Sequence, residues 1–350
     1  MKNKYLKHTL SFSVIILLFL SHFIFCGYFF ISKLSIENNL NISVLSFNTL
    51  MAFPEKALSQ NNKLNNTFDR EKITTFEFEK ILQSLYKNNY ILVNIFDILE
   101  TKNNEVKIDT NSLPKHKKPI VLSFENVTYK SNYQNHGEID KIIIDRNNKI
   151  ATYTTKKSIQ DRIQYDNEFL VILENFISTY PDFSFGNAKG LIFFSGEHGL
   201  LGYNTNQKNA SSRYEIERVT EIVEVLRNNG WVFGCNNYKY SSDIQKSLLE
   251  FKKELSLWQK EILPIIKTTP LYSFPKGELD TTKLEELSSN NFNIFFYDDY
   301  ESKINTTNNH VLISKIPING ESLRNKQSEL SKFFDCNSVY DTEHRLTPLT

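Results

Sequence analysis

The stretch Lys118-Pro119-Ile120-Val121-Leu122-Ser123-Phe124-Glu125-Asn126 decides the fold class, because a short apolar run ends here in two polar side chains. The segment 120–122 has the length and composition of a buried strand. In α/β enzymes with parallel strands, catalytic carboxylates lie at the carboxyl ends of the strands. The stretch therefore predicts a strand of an α/β fold that presents Glu125 and Asn126 to a candidate site.

Strand-like and helix-like segments alternate on both sides of this stretch. Thr74 or Thr75 caps a helix whose apolar residues follow helical spacing. A hairpin is predicted over 141–155, around a polar turn. The other predicted strands are 42–47, 90–93, 190–194, 231–233, 269–274 and 292–297, and the other predicted helices are 168–180, 213–229, 244–262 and 323–334. This alternation is typical of a parallel α/β fold, and no boundary divides 35–350 into smaller domains.

Composition and charge exclude some classes of function. The chain has 350 residues and a formal net charge of +1, from 41 basic and 40 acidic side chains. No basic surface for nucleic acid is predicted from this balance, and we find no glycine-rich phosphate loop, zinc-finger spacing or nucleophile elbow. Hydrophobic residues make up 40% of the chain, which is enough for a sizeable core.

The N-terminal segment 10–31 contains no Lys, Arg, Asp or Glu. It is long enough to span a bilayer, which takes roughly 20 apolar residues. Residues 1–9 carry lysines and are expected to stay in the cytoplasm, so the bulk of the chain is expected outside. A cleaved signal peptide is the alternative. The bulky segment 23–26 offers no small-residue cleavage site, which favours an uncleaved single-pass anchor in the cell membrane.

Several short motifs further along the chain occur in a recognisable order. They are Phe47-Asn48-Thr49-Leu50, the stretch 118–126, Tyr180-Pro181-Asp182-Phe183-Ser184-Phe185, Gly199-Leu200-Leu201-Gly202-Tyr203, Gly230-Trp231-Val232-Phe233 and Tyr272-Ser273-Phe274-Pro275-Lys276-Gly277. Their order resembles that of the extracytoplasmic polysaccharide deacetylases of carbohydrate esterase family 4, which carry the NodB homology domain. The resemblance covers about 42–345 and implies a distorted (β/α) barrel.

The resemblance also implies a site, but with altered residues. In that family one aspartate is the general base, and a second aspartate and two histidines hold a divalent metal, usually zinc. Here Glu125 stands at the base position, and Asn126, Asn236 and Tyr240 stand at the metal positions. Asn48 stands where relatives have a further histidine. Because a neutral amide is a poor zinc ligand, no metal cofactor is expected.

Loss of the metal ligands favours a catalytically impaired protein that still binds a glycan. The expected partner is an N-acetylated polysaccharide of the cell envelope. Tyr238, Trp231 and Tyr272 are the candidate side chains for contact with the sugar, because aromatic and polar side chains line sugar-binding pockets. A scaffold that binds other envelope proteins is an alternative from a different class.

A second alternative is an active deacetylase with a rebuilt metal site. Its ligands would come from Glu125, His198, and Asp298 or Asp299. His198 follows Glu197 in a turn beside one of the motifs, and the aspartates follow a predicted strand. The sequence also leaves open whether Cys235 and Cys336 form a disulfide or are two small buried side chains.

Overall fold

Parallel strands form a closed ring in the computed structural model, which describes residues 42–102, 105–108, 112–129, 132–155, 158–206, 210–307 and 309–349. The strands are β1 (Ser43–Phe47), β2 (Tyr90–Leu92), β3 (Leu99–Lys102), β4 (Glu105–Ile108), β5 (Lys118–Glu125), β6 (Lys141–Ile144), β7 (Ile150–Tyr153), β8 (Ile163–Gln164), β9 (Leu191–Phe194), β10 (Val232–Cys235), β11 (Leu271–Ser273), β12 (Ile294–Asp298), β13 (Ile304–Thr306) and β14 (Val311–Pro317).

The ring is closed by β1, which pairs in parallel with β5 on one side and β14 on the other. Between these two neighbours, β9, β10, β11 and β12 pair in parallel one after another, so seven strands of the described chain complete the barrel. β2 is added beside the first half of β5, and β13 pairs antiparallel with β14. The predicted α/β fold with a (β/α) barrel is confirmed.

The helices pack around the ring. They are α1 (Pro54–Ala57), α2 (Asn65–Glu71), α3 (Thr75–Lys87), α4 (Ile95–Ile98), α5 (Phe169–Thr179), α6 (Ala210–Asn228), α7 (Leu248–Glu261), α8 (Leu263–Ile266), α9 (Leu284–Ser289), α10 (Gly320–Asn325), α11 (Gln327–Leu330) and α12 (Cys336–Val339). α3 begins with a capping box: Thr74 accepts a hydrogen bond from the Glu77 N–H, and the Glu77 carboxylate accepts one from the Thr74 N–H.

Two predicted helices differ from the structure. The helix predicted over 244–262 begins only at Leu248, because Ser247 caps its N-terminus and the preceding Asp243 is tied into a buried polar cluster. The helix predicted over 323–334 is two short helices, α10 and α11, which Lys326 separates with a non-helical φ of −129°.

The strand β14 was not predicted, although it closes the barrel. Its sequence Val-Leu-Ile-Ser-Lys-Ile-Pro is an apolar run interrupted by a serine and a lysine. The predicted hairpin over 141–155 is confirmed as β6 and β7, to which β8 adds a third strand. Cys235 and Cys336 are both buried as free thiols, so the disulfide alternative is excluded.

The predicted membrane anchor at 10–31, the cytoplasmic segment 1–9 and the boundary at Ser35 all lie outside the described residues. Within the described ranges, no helix combines the length and the apolar character needed to cross a bilayer.

Candidate functional site

The inward-facing side chains of the barrel change from apolar to polar towards the carboxyl ends of the strands. Successive residues of a strand point to opposite faces, so every second residue of a barrel strand faces the interior. Val121, Phe193, Leu271, Phe296 and Ile313 share one buried apolar cluster. At positions of the same parity, closer to the carboxyl ends, the residues are polar: Ser123, Glu125, Ser195, Asn236, Ser273, Asp298 and Lys315. This polar layer lies at the mouth of the barrel.

Glu125, the predicted base position, is held by three donors. Its Oε1 accepts a hydrogen bond from Nζ of Lys315 at 2.9 Å, and its Oε2 accepts from Nδ2 of Asn236 at 2.8 Å and from Oγ of Ser273 at 2.9 Å. The side chain is only 4% exposed. Residues from β11, from β14 and from the position directly after β10 therefore fix the orientation of this carboxylate.

Lys315 is the site residue that the sequence analysis missed. Its side chain is 1% exposed, and its ammonium contacts Glu125, Ser273 at 2.6 Å and the Asp298 carboxylate at 3.4 Å. Burial by itself would lower the pKa of Lys315, but the charges of Glu125 and Asp298 outweigh burial and raise it. The ammonium therefore stays protonated. A signal was present in the sequence, since a lysine within an apolar strand needs a buried partner.

Asp298 completes the charged part of the site. Burial is the main cause that raises its pKa, and the ammonium of Lys315 opposes that shift. Gly277 makes room for this carboxylate: its φ is +73°, and a Cβ added there would lie 2.0 Å from Cγ of Asp298. Only glycine adopts this backbone conformation readily and leaves that space.

The predicted metal positions Asn126 and Asn236 lie together and are joined by hydrogen bonds. Nδ2 of Asn236 donates to Glu125 and to the Ser273 carbonyl at 2.9 Å, and its Oδ1 accepts from the Asn126 N–H at 3.0 Å. Oδ1 of Asn126 accepts from Oγ of Ser195 at 2.6 Å. Asn126 has a φ of +52°, which asparagine tolerates better than most residues.

These residues do not fit a zinc ion. The carboxylate at the base position already holds an ammonium, and the two amides are engaged with the chain's own polar groups. Zinc prefers imidazole, thiolate and carboxylate ligands in a set of three or four. In the part of the chain that the structure describes, no three His, Cys, Asp or Glu side chains converge in this way.

Tyr240, the third predicted metal position, lines an open cleft instead. The cleft consists of two adjoining cavities of about 190 Å³ and about 70 Å³, which share Asn48, Glu71, Glu125, Tyr240 and Lys276. Nζ of Lys276 lies 4.9 Å from the centre of the tyrosine ring. Burial, followed by the charges of Glu125 and Asp298, raises the pKa of Tyr240 well above its usual value. Its hydroxyl is therefore neutral at physiological pH.

Trp231 and Tyr272 were predicted to contact the sugar, but both side chains are buried away from the cleft. Trp231 is 1% exposed, packs against Phe124 and Phe169, and donates from Nε1 to Glu174. Tyr272 is fully buried, and its hydroxyl donates to Asp243 at 2.5 Å. Both lie on the outward face of their strands, against the helices, so neither reaches the cleft.

Tyr238, the remaining candidate for sugar contact, is partly buried, and its hydroxyl donates to Glu261 at 2.7 Å. It lies against Gly196, where an added Cβ would come within 2.6 Å of the ring. Tyr238 is absent from the lining of the cleft that Tyr240 faces.

The residues of the predicted rebuilt metal site are only partly brought together. Asp298 reaches Glu125 through Lys315, as described above. Asp299 instead pairs with Lys303 at 2.8 Å on the surface. His198 is 43% exposed, lies 3.6 Å from Glu197 and lines neither cavity of the cleft. The structure therefore does not assemble these side chains into one metal site.

A second charged cluster borders the smaller cavity. Nζ of Lys72 lies 2.5 Å from the Glu138 carboxylate, which also accepts a hydrogen bond from Thr49 at 2.7 Å. Close by, Glu168 is fully buried and accepts from the backbone N–H groups of Leu50 and Phe169. Burial is the main cause that raises the pKa of Glu168 to about 8.

Glu168 should make the protein less stable as the pH rises. Between its ordinary pKa near 4.5 and about 8, the folded state holds a proton that the unfolded state has released. Stability therefore falls as the pH rises through this window and levels off above it. Glu168→Gln keeps the acceptor oxygen and never ionises, so we expect the variant to be more stable than the wild type at pH 9, by about 1 kcal/mol or more.

Urea denaturation of both proteins at pH 6 and pH 9 measures this difference. The exposed Glu285→Gln is the control, and its pH dependence should match that of the wild type. Parallel pH curves for wild type and Glu168→Gln would show that Glu168 does not cause the effect.

Comparison with known proteins finds similarity to solved structures alone. No family model and no curated protein match the chain. Solved structures that match include a de-N-acetylase from Aggregatibacter actinomycetemcomitans (13% identity, 84% of this chain and 99% of the other, TM-score 0.47) and IcaB from Ammonifex degensii (13%, 81% and 93%, 0.45). A polysaccharide deacetylase from Bacillus cereus also matches (11%, 83% and 68%, 0.45). The chain is similar in fold to these proteins.

Proposed function

We propose that this chain is a polysaccharide-deacetylase-like protein that binds an N-acetylated glycan of the cell envelope without hydrolysing it. The observation that carries this proposal is which residues occupy the catalytic positions and how they are hydrogen-bonded. Asn126 and Asn236 stand where the resemblance implies metal ligands, and they hydrogen-bond to each other and to neighbouring side chains. Lys315 lies against the carboxylate at the base position.

The chemistry of amide hydrolysis supports the loss of catalysis. Metal-dependent hydrolysis needs a Lewis acid that polarises the carbonyl and a base that activates a water. In this site the positive charge comes from the ammonium of Lys315, which already contacts Glu125, Ser273 and Asp298. The base position, Glu125, is clamped by three donors and is almost entirely buried. The site therefore offers no group that could hold both a catalytic water and the carbonyl of a substrate.

The cleft supports retention of a ligand. Its lining mixes donors, acceptors and aromatic rings, which is the combination that recognises sugar hydroxyls and acetamido groups. Tyr240 lines both cavities with a neutral hydroxyl, and Asn48 and Asn126 add amide groups. The cleft lies at the carboxyl ends of the strands, where barrel proteins bind their ligands.

Binding of a chito-oligosaccharide to the full-length chain in detergent tests this proposal. We expect calorimetry to detect binding, and we expect no acetate release over hours. Tyr240→Ala should weaken binding about 10-fold or more, since losing a buried contact of about 1.4 kcal/mol has that effect. The control Tyr214→Ala removes a tyrosine that is 63% exposed on α6 and should bind like the wild type.

Two outcomes would contradict the proposal. Acetate release that disappears in Glu125→Gln would mean that the chain is an active deacetylase. If the folded wild type does not bind N-acetylated glycans, the proposed ligand is wrong and a protein scaffold is favoured.

The proposed location is the outer side of the cell membrane, with 10–31 as the anchor. The support for it is the sequence alone: an uncharged segment that follows a lysine-bearing N-terminus. Protease treatment of intact cells that express the full-length chain tests it. The barrel should be digested without lysis, and full protection of the barrel would contradict this location.

A further inference from the structure

The ammonium of Lys315 is surrounded by oxygen atoms of the protein's own side chains. An ammonium has three protons to donate. Three oxygen atoms surround it: Oε1 of Glu125 at 2.9 Å, Oγ of Ser273 at 2.6 Å and Oδ1 of Asp298 at 3.4 Å. The side chain comes from β14, enters the barrel mouth and is 1% exposed. Two of these contacts are hydrogen bonds, and the third is an ion pair with Asp298.

The surrounding atoms form a set that suits a different kind of cation. Two carboxylates and a hydroxyl are oxygen ligands, which hard divalent cations such as Mg²⁺, Mn²⁺ and Ca²⁺ prefer. The larger cavity of the cleft, about 190 Å³, is lined by Glu125, Asp298 and Lys315, so these groups are reached from outside. The ammonium and a divalent ion cannot occupy the same place.

We propose that Lys315 is a built-in cation, which replaces a divalent metal ion at the mouth of the barrel and keeps hard cations out. Removal of its amine leaves Glu125 and Asp298 as two carboxylates with no positive partner between them. The vacated position then becomes a binding site for a hard divalent cation. This inference rests on the metal-free interpretation in the proposed function, but it does not depend on glycan binding.

Binding of Mn²⁺ to the full-length chain, measured by electron paramagnetic resonance titration, tests the proposal. We expect the wild type to bind no Mn²⁺ above background. Lys315→Met should bind about one Mn²⁺ per chain, at least 10-fold more tightly than the wild type. Purification of the variant in the presence of Mn²⁺ protects it if the two carboxylates destabilise the metal-free form.

Two controls locate the site. Lys315→Met combined with Glu125→Gln lacks one of the two carboxylates and should lose at least 10-fold in Mn²⁺ affinity relative to Lys315→Met. Lys276→Met removes a lysine that lines the same cleft but lies over the Tyr240 ring. Like the wild type, this variant should bind no Mn²⁺ above background.

Three results would overturn the proposal. They are Mn²⁺ binding by the wild type, Mn²⁺ binding by Lys315→Met that survives Glu125→Gln, and a folded Lys315→Met that binds none. If Lys315→Met does not fold, Lys315→Gln, which keeps a donor for Glu125, is measured in the same way, and a folded form without binding is equally decisive. Glycan binding is not a readout, so a chain that binds no glycan but shows the expected Mn²⁺ pattern refutes only the proposed function.

Discussion

Glu125→Gln should lower the free energy of unfolding by about 3 kcal/mol, because it breaks a buried ion pair. Lys315, Asn236 and Ser273 all donate to this carboxylate. A glutamine has one acceptor oxygen for these three donors, and its amide adds donors where no acceptor is waiting. Lys315 would keep Asp298 as its remaining charged partner, at 3.4 Å.

Urea denaturation at pH 7 gives this quantity directly. Asp299→Asn is the matched control, because Asp299 follows the end of β12 and pairs with Lys303 at the surface; its effect should stay below about 1 kcal/mol. Active sites are often strained, so removing a catalytic group is frequently neutral or stabilising. A Glu125→Gln variant as stable as the wild type would therefore contradict a structural role for this carboxylate and point back to catalysis.

Arg345→Met should destabilise the fold even more, by about 3–5 kcal/mol. The guanidinium of Arg345 is fully buried and forms two hydrogen bonds with Glu77, at 2.9 Å and 2.6 Å. It also donates to the backbone carbonyls of Asp69 and Lys72. Methionine would fill part of the volume but would leave a buried carboxylate on Glu77, together with two carbonyls, without these donors.

The same denaturation experiment measures this effect. Arg218→Met is the matched control, since Arg218 is 42% exposed and pairs with Glu221 one turn along α6; a change within about 0.5 kcal/mol is expected. A loss of less than 1 kcal/mol in Arg345→Met would show that the buried network contributes little to stability.

Local signals in the sequence predicted most of the fold. The helix cap predicted at Thr74 or Thr75 is confirmed at Thr74, and the apolar run before Glu125 is confirmed as β5. Both depend on residues within a few positions of each other, where propensity and periodicity act. The position of the candidate site at the end of β5 was predicted for the same reason.

The composition of the site was harder to predict. Lys315 lies 190 residues after Glu125, and only closure of the barrel brings the two together. Trp231 and Tyr272 were expected in the cleft, but the alternation along their strands places them on the helix-facing side. A shift of one residue along a strand turns a side chain to the opposite face of the sheet. Aromatic content alone does not specify which face a side chain takes.

The late position of β14 and Arg345 has a consequence for folding during synthesis. β1 can pair with its second neighbour only after β14 has been synthesised. The partner of the Glu77 carboxylate, Arg345, is synthesised 268 residues after Glu77. Contacts this distant in the chain make folding slow, and intermediates expose unpaired strand edges. A nascent chain should therefore keep an open barrel throughout its translation. Chaperone protection of the free edge of β1 would matter more for this protein than for one built from local contacts.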